Sequence, residues 1–253
     1  MERFTMGAAG RVVAVSALYA STRDYCSAYL CTGDPDFEIT ITEQDIDFER
    51  EKAVRESELE GLPVREFEPQ ALECTAVQRK IAEKLFTYDT LLFHGSVVAV
   101  DGEAYLFTAK SGTGKSTHVG LWRWLLQERA VIVNDDKPFL WIEQDGVTVY
   151  GSPWNGKHGR GNNIHVPLKA ICLLERGAEN EIRQIPAGGV LPILLQQSNR
   201  PMQPGLMPQY MELLDQLSNK VAFYRMACNI SAEAPKLAYE TMSGKMIGEM
   251  NNA

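Results

Sequence analysis

The chain is predicted to be an α/β protein in which a small N-terminal β layer precedes a mixed-sheet, phosphate-binding core. Three observations predict this class. Strand-like runs alternate with helical periodicity along most of the 253 residues. An Asp101-Gly102 pair separates two apolar runs, residues 90–100 and 104–108, which is a strong hairpin signal. The second of these runs enters a Gly/Ser loop followed at once by a helical pattern. The strand feeding the loop is therefore expected to pair antiparallel with the strand before it, which makes the sheet mixed.

Taken in order, residues 12–19 read as a buried strand, Gly33-Asp34-Pro35 as a turn, and residues 37–42 as a strand of alternating polarity. Residues 45–60 are dense in Glu, Asp and Arg, as in a solvated loop or surface helix with no chemistry of its own. Leu72, Val77, Ile81 and Leu85 recur at helical spacing over 71–86. Beyond the Gly/Ser loop, a helix is expected over 115–128 and a strand over 130–133. Strands and turns then fill 138–176. Helices near 190–197 and 209–217, a strand over 221–228 and a last helix from about Pro235 complete the chain. The whole is expected to form one domain, with residues 1–70 an N-terminal β-rich extension and 71–253 the core.

Composition narrows the function. Hydrophobic residues make up 45% and charged residues 23%, values of an ordinary globular protein. The net charge of −8, from 25 basic and 33 acidic residues, gives no general attraction to nucleic acid or anionic lipid, so any phosphate site must be local. Cys26, Cys31, Cys74, Cys172 and Cys228 are odd in number and contain no C-x-x-C pair, which disfavours a disulfide scaffold and a zinc ribbon. His94, His118, His158 and His165 are scattered and H-E-x-x-H is absent, so metal chemistry should rest on oxygen ligands. The apolar run behind Arg11 is interrupted by Ser16 and Tyr19 and is read as a strand, not a targeting signal. No run of eighteen apolar residues occurs, so no membrane partner is expected and the compartment should be cytoplasmic.

The sharpest motif is Ala109-Lys110-Ser111-Gly112-Thr113-Gly114-Lys115-Ser116-Thr117, which fits a P-loop (Walker A) except at its first position, where alanine replaces glycine. In such a loop, glycines turn backbone N–H groups inward around phosphate oxygens and the following helix adds partial positive charge. Gly112 and Gly114 have that task, Lys115 reaches the β and γ phosphates, and the Ser116 hydroxyl ligates Mg²⁺. The competing reading is a Gly/Ser turn that caps a surface helix beside an incidental lysine.

One helical crossover later, a strand ends in Asp135-Asp136, where a P-loop enzyme places the carboxylate that holds Mg²⁺ or accepts a proton. Asn-Asp-Asp-Lys-Pro is also a good turn sequence. His94 beside an apolar strand reads by itself as structural. Lys110, Lys157 and Arg160 are candidates for a second charge on the transferred phosphoryl group. Lys157 and Arg160 are preferred because they lie in a Gly-rich stretch, 151–161, that reads as mobile enough to close over a substrate. Trp122, Trp124 and Trp141 read as core or rim, and Trp154 as a side chain that could line a substrate pocket.

Together these residues resemble the HPr kinase and phosphoenolpyruvate carboxykinase superfamily, and within it the small HPr-kinase-like proteins. His94-Gly95 precedes Lys115 by 21 residues (115 − 94), as in HPr kinases. Ser111 to Thr117 is similar to the carboxykinase loop, with Ser116 in place of threonine. Asp135-Asp136 matches the paired aspartates after the next strand. The resemblance covers about residues 91–155 and, loosely, the tail. It implies a fold of the carboxykinase/HPr-kinase C-terminal type, ATP and Mg²⁺ as cofactors, His94 near the phosphates, and Asp136 as metal ligand or base with Asp135 beside it. The Glu-Val-Arg-Gly-Leu-Gly signature of true HPr kinases is missing, as is an oxaloacetate-binding segment. The expected function is an ATP- and Mg²⁺-dependent kinase acting on a hydroxyl of a small molecule or of a peptide or protein serine. A nucleotide-binding regulatory or peptide-binding module without transfer is the alternative, and a pyrophosphate-dependent or reverse reaction a third. The phosphoryl donor and the oligomeric state stay open.

Overall fold

A computed structural model describes residues 1–247, which fall into two compact units, Met1–Leu85 and Phe86 onward. In the first, β1 (Glu2–Ala8) and β2 (Arg11–Ala17) form a hairpin, with β3 (Phe37–Thr40) parallel to β2. The hairpin turns through Ala9 and Gly10, both at positive φ. Burial alternates in both strands, with Phe4, Met6 and Ala8 inward on β1. Strand β1 was missing from the sequence reading although its period of two is plain.

Helix α1 (Ala20–Tyr25) was also missed, because six residues are too few to display helical periodicity. A distant residue secures it: the buried Glu73 carboxylate accepts hydrogen bonds from the Leu18 and Tyr19 N–H groups and the Thr22 hydroxyl. Glu73→Ala would leave three donors without their acceptor. It should lower the unfolding free energy by about 3 kcal/mol, measurable as a shifted urea midpoint at unchanged slope.

The charged segment forms helix α2 (Glu43–Glu60), opened by a Thr42/Asp45 capping box and closed by Gly61 at φ 65°. Ile46 and Glu49 are nevertheless buried, and Arg79 of α3 (Pro69–Leu85) pairs with Glu49 and Asp45. Helix α3 buries the expected stripe, including Leu72, Val77, Ile81 and Leu85, and it lies within the first unit.

The second unit contains β4 (Thr90–Leu92), β5 (Ser96–Val100), β6 (Glu103–Thr108), α4 (Lys115–Leu126), β7 (Ala130–Asn134), β8 (Phe139–Glu143), β9 (Gly146–Tyr150), β10 (His165–Arg176), β11 (Glu181–Ile185), α5 (Leu191–Gln197), α6 (Met207–Lys220), β12 (Ala222–Cys228) and α7 (Glu233–Ser243). Among the described residues the strands form one mixed sheet in the order β4-β8-β9-β10-β6-β5-β7, with β12 beside β10 and β11 beside β12. The long strand β10 joins its parts. Residues 165–167 pair antiparallel with β9, and the remainder runs parallel to β6 and β12.

Successive residues of β6 enter different cores. Ala104 and Leu106 pack with the apolar side of α6, while Tyr105 and Phe107 pack with α4 and α7. Burial on both faces explains why these strands read as unbroken apolar runs.

The β5–β6 hairpin turns at Asp101 (φ 51°) and Gly102 (φ 81°), the positive φ pair that Asp-Gly predicts. The run 90–100 is not one strand. It divides at His94-Gly95 into β4, which pairs with β8, and β5, which lies between β6 and β7. Gly95 is required at the break, since a Cβ there would lie 2.7 Å from Leu106 Cδ2 and 3.0 Å from the Phe107 carbonyl oxygen. No helix among the described residues is long and apolar enough to cross a membrane, and the five cysteines are free.

Candidate phosphate-binding site

The site is assembled where β6 gives way to the glycine-rich loop and where β7 ends beside it. Gly112 (φ 76°) and Gly114 (φ 121°) occupy backbone conformations that disfavour a side chain, although a Cβ at either would meet no neighbour within 4 Å. Glycine is needed there for its conformation, not for space. Ala109 is buried and is not among the positive-φ residues, so the backbone does not demand glycine at that position. Gly114 is the N-cap of α4 and offers no side-chain oxygen to the helix's first N–H groups, leaving the helix positive end to the loop. Lys115 begins α4, and its Nζ turns back to donate to the Ala109 carbonyl at 3.3 Å. Ser116 is half-buried, while Ser111 and Thr117 are exposed.

Across from the loop, Asn134 shapes the end of β7. Its Oδ1 accepts from the N–H groups of Asp136 (2.9 Å) and Lys137 (2.7 Å), and its Nδ2 donates to the Ser152 carbonyl and hydroxyl oxygens at 3.1 and 3.0 Å. The Ser152 hydroxyl in turn donates to the Lys137 carbonyl at 2.7 Å. This is an asparagine turn locked from behind. Gly156 closes on the same turn, where a Cβ would lie 3.2 Å from Asp136 Cβ at a φ of 64°. The turn presents Asp136 half-buried, while Asp135 is buried with its Oδ1 lacking any hydrogen-bond partner.

His94 sits at the chain break between these parts. Its N–H donates to the Gln197 carbonyl at 2.7 Å, its carbonyl accepts from the Thr108 hydroxyl at 2.9 Å, and the next N–H, of Gly95, donates to the Asp136 carbonyl at 3.0 Å. The ring then faces the carboxylate, with Nε2 3.5 Å from Asp136 Oδ1. Burial, helped by the positive charges of Lys137 and Lys115, drives the His94 pKa down to about 3. The pair at neutral pH is thus a neutral imidazole beside a carboxylate.

Burial also raises the Asp136 pKa, against the pull of Lys137 and Lys115. Burial lowers that of Lys115, against the pull of Asp136 and Asp135. The structure therefore brings His94, Lys115, Asp135 and Asp136 within electrostatic reach of one another, with Ser111 to Thr117 on the adjoining loop. Among the described residues, no three His, Cys, Asp or Glu side chains are grouped to hold a metal by themselves. A divalent ion here would need the Ser116 hydroxyl and ligand oxygens in addition to the aspartates.

Three expectations about the 151–161 stretch are corrected. Its first half is not mobile: Gly151, Ser152, Pro153 and Trp154 are buried, and Ser152 is tied to Asn134 and Lys137. Trp154, 6% exposed, packs edge-on against Phe139 at 6.2 Å and is a core residue. Arg160 points elsewhere. Its guanidinium lies 3.8 Å from where a Cβ on Gly120 would be, in a groove with Arg123 and the 61%-exposed Trp124. Lys157 and Lys110 are exposed.

The sequence reading missed Asn134 as the organiser of the turn, Lys137 as a second positive charge, and Arg176. The Arg176 side chain donates to the carbonyls of Gly112 (2.6 Å) and Thr113 (3.5 Å) and so braces the loop. Asn134 could have been found from the Asn-Asp-Asp-Lys turn signal, whereas Arg176 is more than sixty residues from its partners and has no local signature.

Residues 64–253 match the family model of the SynChlorMet cassette protein ScmC. The chain belongs to the ScmC family. Every residue of the candidate site lies within the ScmC-matching stretch, whereas the sheet β1-β2-β3 and helix α2 lie outside it. No curated protein matches this ScmC chain. Among solved structures, the HPr(Ser) kinase/phosphatase from Coxiella burnetii is similar over 64% of this chain and 99% of its own, at 12% identity and a TM-score of 0.34.

Proposed function

We propose that the chain is a Mg²⁺-dependent phosphotransferase that moves the γ-phosphoryl group of ATP to a hydroxyl of a small molecule or of a peptide or protein serine. The observation that carries this reading is the meeting of a lysine on a glycine-rich helix N-terminus with the half-buried Asp136 carboxylate, whose pKa burial raises. The loop N–H groups and Lys115 suit the anionic end of a nucleotide.

Asp136 and Ser116, with the partnerless Oδ1 of buried Asp135, would supply oxygen donors of the kind Mg²⁺ takes. When bound, Mg²⁺ neutralises charge on the phosphoryl oxygens. Asp136 takes the acceptor's proton as the hydroxyl oxygen bonds to the γ-phosphorus and the bond to the β-bridging oxygen breaks, releasing ADP. His94, kept neutral, packs against Asp136 and does not compete for that proton.

Transfer of label from γ-labelled ATP into separated small-molecule and peptide fractions of a lysate tests the reading and names the acceptor class. Nucleotide binding with no transfer into any fraction would leave a sensing module instead.

The pH profile is specified too. Because the Asp136 pKa is raised, activity should fall on the acid side at a pH above the usual carboxylate value, and His94 should add no limb near neutrality. Stability has its own acid dependence. His94 and His118 have folded-state pKa values of about 3 and about 4, below the unfolded value of 6.5. Their stabilising contribution is therefore present above pH 6.5 and lost as pH falls, by about 1.4 kcal/mol per pH unit for each ring. Denaturant titrations from pH 7 to 4 should show it.

A further inference from the structure

Helix α4 has a second face that the phosphate loop does not use. Val119, Trp122 and Leu126 are buried in the core, whereas Gly120, Arg123, Trp124 and Gln127 follow at i, i+3, i+4 and i+7 and line an open groove of about 870 Å³. The edge of β7 at Ala130, Val131 and Ile132 also lines it, as does the loop 159–162. Arg160 reaches toward the helix from that loop. Its Nη1 lies 3.8 Å from where a Cβ on Gly120 would be, so a side chain larger than alanine there would meet the guanidinium. Glycine inside a helix costs about 1 kcal/mol relative to alanine, and here it leaves the helix surface bare beside Arg160.

Two cations border this groove without a counter-charge. Among the described residues, Arg123 and Arg160 make no hydrogen bond or ion pair, and Glu128, the carboxylate that lines the same groove, pairs with neither. Between them Trp124 is 61% exposed. In a chain of net charge −8, unpaired arginines around an open indole are a local patch of opposite sign, built from the residue types that anchor protein contacts. The strand edge adds a main-chain surface. β7 ends the sheet order with β5 on its inner side. Asn162 covers its outer side only at the Val133 carbonyl, through its N–H at 3.1 Å, and at the Ile132 carbonyl, through its Nδ2 at 2.8 Å. Among the described residues no loop hydrogen bond reaches Ala130 or Val131, so a short stretch of edge is open to another main chain.

We propose that this groove docks an extended acidic segment of a partner protein. Its carboxylates pair with Arg123 and Arg160, an apolar side chain packs on the Trp124 indole, and its main chain lies along the β7 edge. A small anion would use the arginines but neither the indole nor the strand edge, and the net charge of the chain opposes a nucleic acid. Docking needs no nucleotide, so the proposal goes beyond the phosphotransfer reading and does not depend on it. The groove is nevertheless close to the aspartates. Val131 precedes Asp136 by five residues (136 − 131), about 16 Å of extended chain, so a docked segment brings its flanking residues to the neighbourhood of the phosphate site.

Fluorescence anisotropy of the full chain with a labelled peptide of alternating Glu and Val, about ten residues long, in the absence of nucleotide and Mg²⁺, tests this. The comparisons are the same peptide with Lys in place of Glu, a single-stranded oligonucleotide of equal charge, and free glutamate as competitor. The acidic peptide should bind at least about tenfold more tightly than the lysine peptide or the oligonucleotide, and free glutamate should not displace it. Trp124→Ala should weaken it about tenfold, and Arg123→Glu combined with Arg160→Glu should turn the preference toward the lysine peptide. All three side chains are exposed, so thermal melting should be unchanged in these variants. No binding of the acidic peptide, equal binding of the two peptides, displacement by free glutamate, or variants without effect would overturn the docking site. Tighter binding of the oligonucleotide would overturn it too and assign the groove to nucleic acid. The phosphotransfer reading fails separately: Lys115→Ala should leave peptide binding unchanged, and the groove variants should leave ATP binding unchanged.

Discussion

Asp136→Asn should bind ATP and fail to transfer its phosphoryl group, with turnover reduced about a thousandfold. The substitution keeps the shape of the side chain and of the asparagine-locked turn, whose hydrogen bonds are made by the Asp136 backbone and not by its carboxylate. What it removes is the proton acceptor and one carboxylate of the proposed Mg²⁺ donor set. The residual activity should also lack the acid limb. Stability should move the other way: a raised folded-state pKa means that ionising Asp136 disfavours the folded state as pH rises past its unfolded value. The amide escapes that penalty, so at pH 7 the variant should melt no lower than the wild-type chain. A variant that lost activity and stability together would point to a structural role for Asp136.

Lys115→Ala should weaken ATP and tripolyphosphate alike by about a hundredfold, or ~2.7 kcal/mol, with transfer falling below detection. Lys115 is half-buried beside Asp136 and Asp135, and its Nζ donates a hydrogen bond to the loop's own Ala109 carbonyl. That bond orients the ammonium over the loop without consuming its other two protons. Removing it leaves the two aspartates without their nearest helix-borne cation, so anionic ligands should suffer repulsion as well as a lost contact. Isothermal titration at two ionic strengths would read both parts, the repulsive one shrinking as salt rises.

These two predictions use residues at opposite ends of what can be read without coordinates. The loop 109–117 and helix α4 were legible because their signals are local. Glycines with positive φ, a lysine at the first helical position and a following apolar stripe all act within a few residues. The Asp-Gly hairpin was legible for the same reason, as were α3, α6 and the strand leading to Asp135-Asp136. The β1 strand and α1 escaped, the one through an overlooked alternation and the other through its shortness. Arg160 shows the limit of inference from loop composition: glycines around it suggested motion toward the loop, and packing on Gly120 turns it away.

Residue order and chemistry alone determined the mixed α/β class and the strand–loop–helix unit, because backbone conformation and amphipathic period are properties of short windows. Tertiary structure alone decided that the run 90–100 breaks at His94-Gly95, that the imidazole meets Asp136 across forty residues of chain, that Trp154 is core, and that Arg176 braces the loop. It also fixed the tautomer of His118 through Trp122. Each of these depends on which distant groups share a desolvated space, where hydrogen-bond partners and pKa values are set by burial and neighbours that no window of sequence contains.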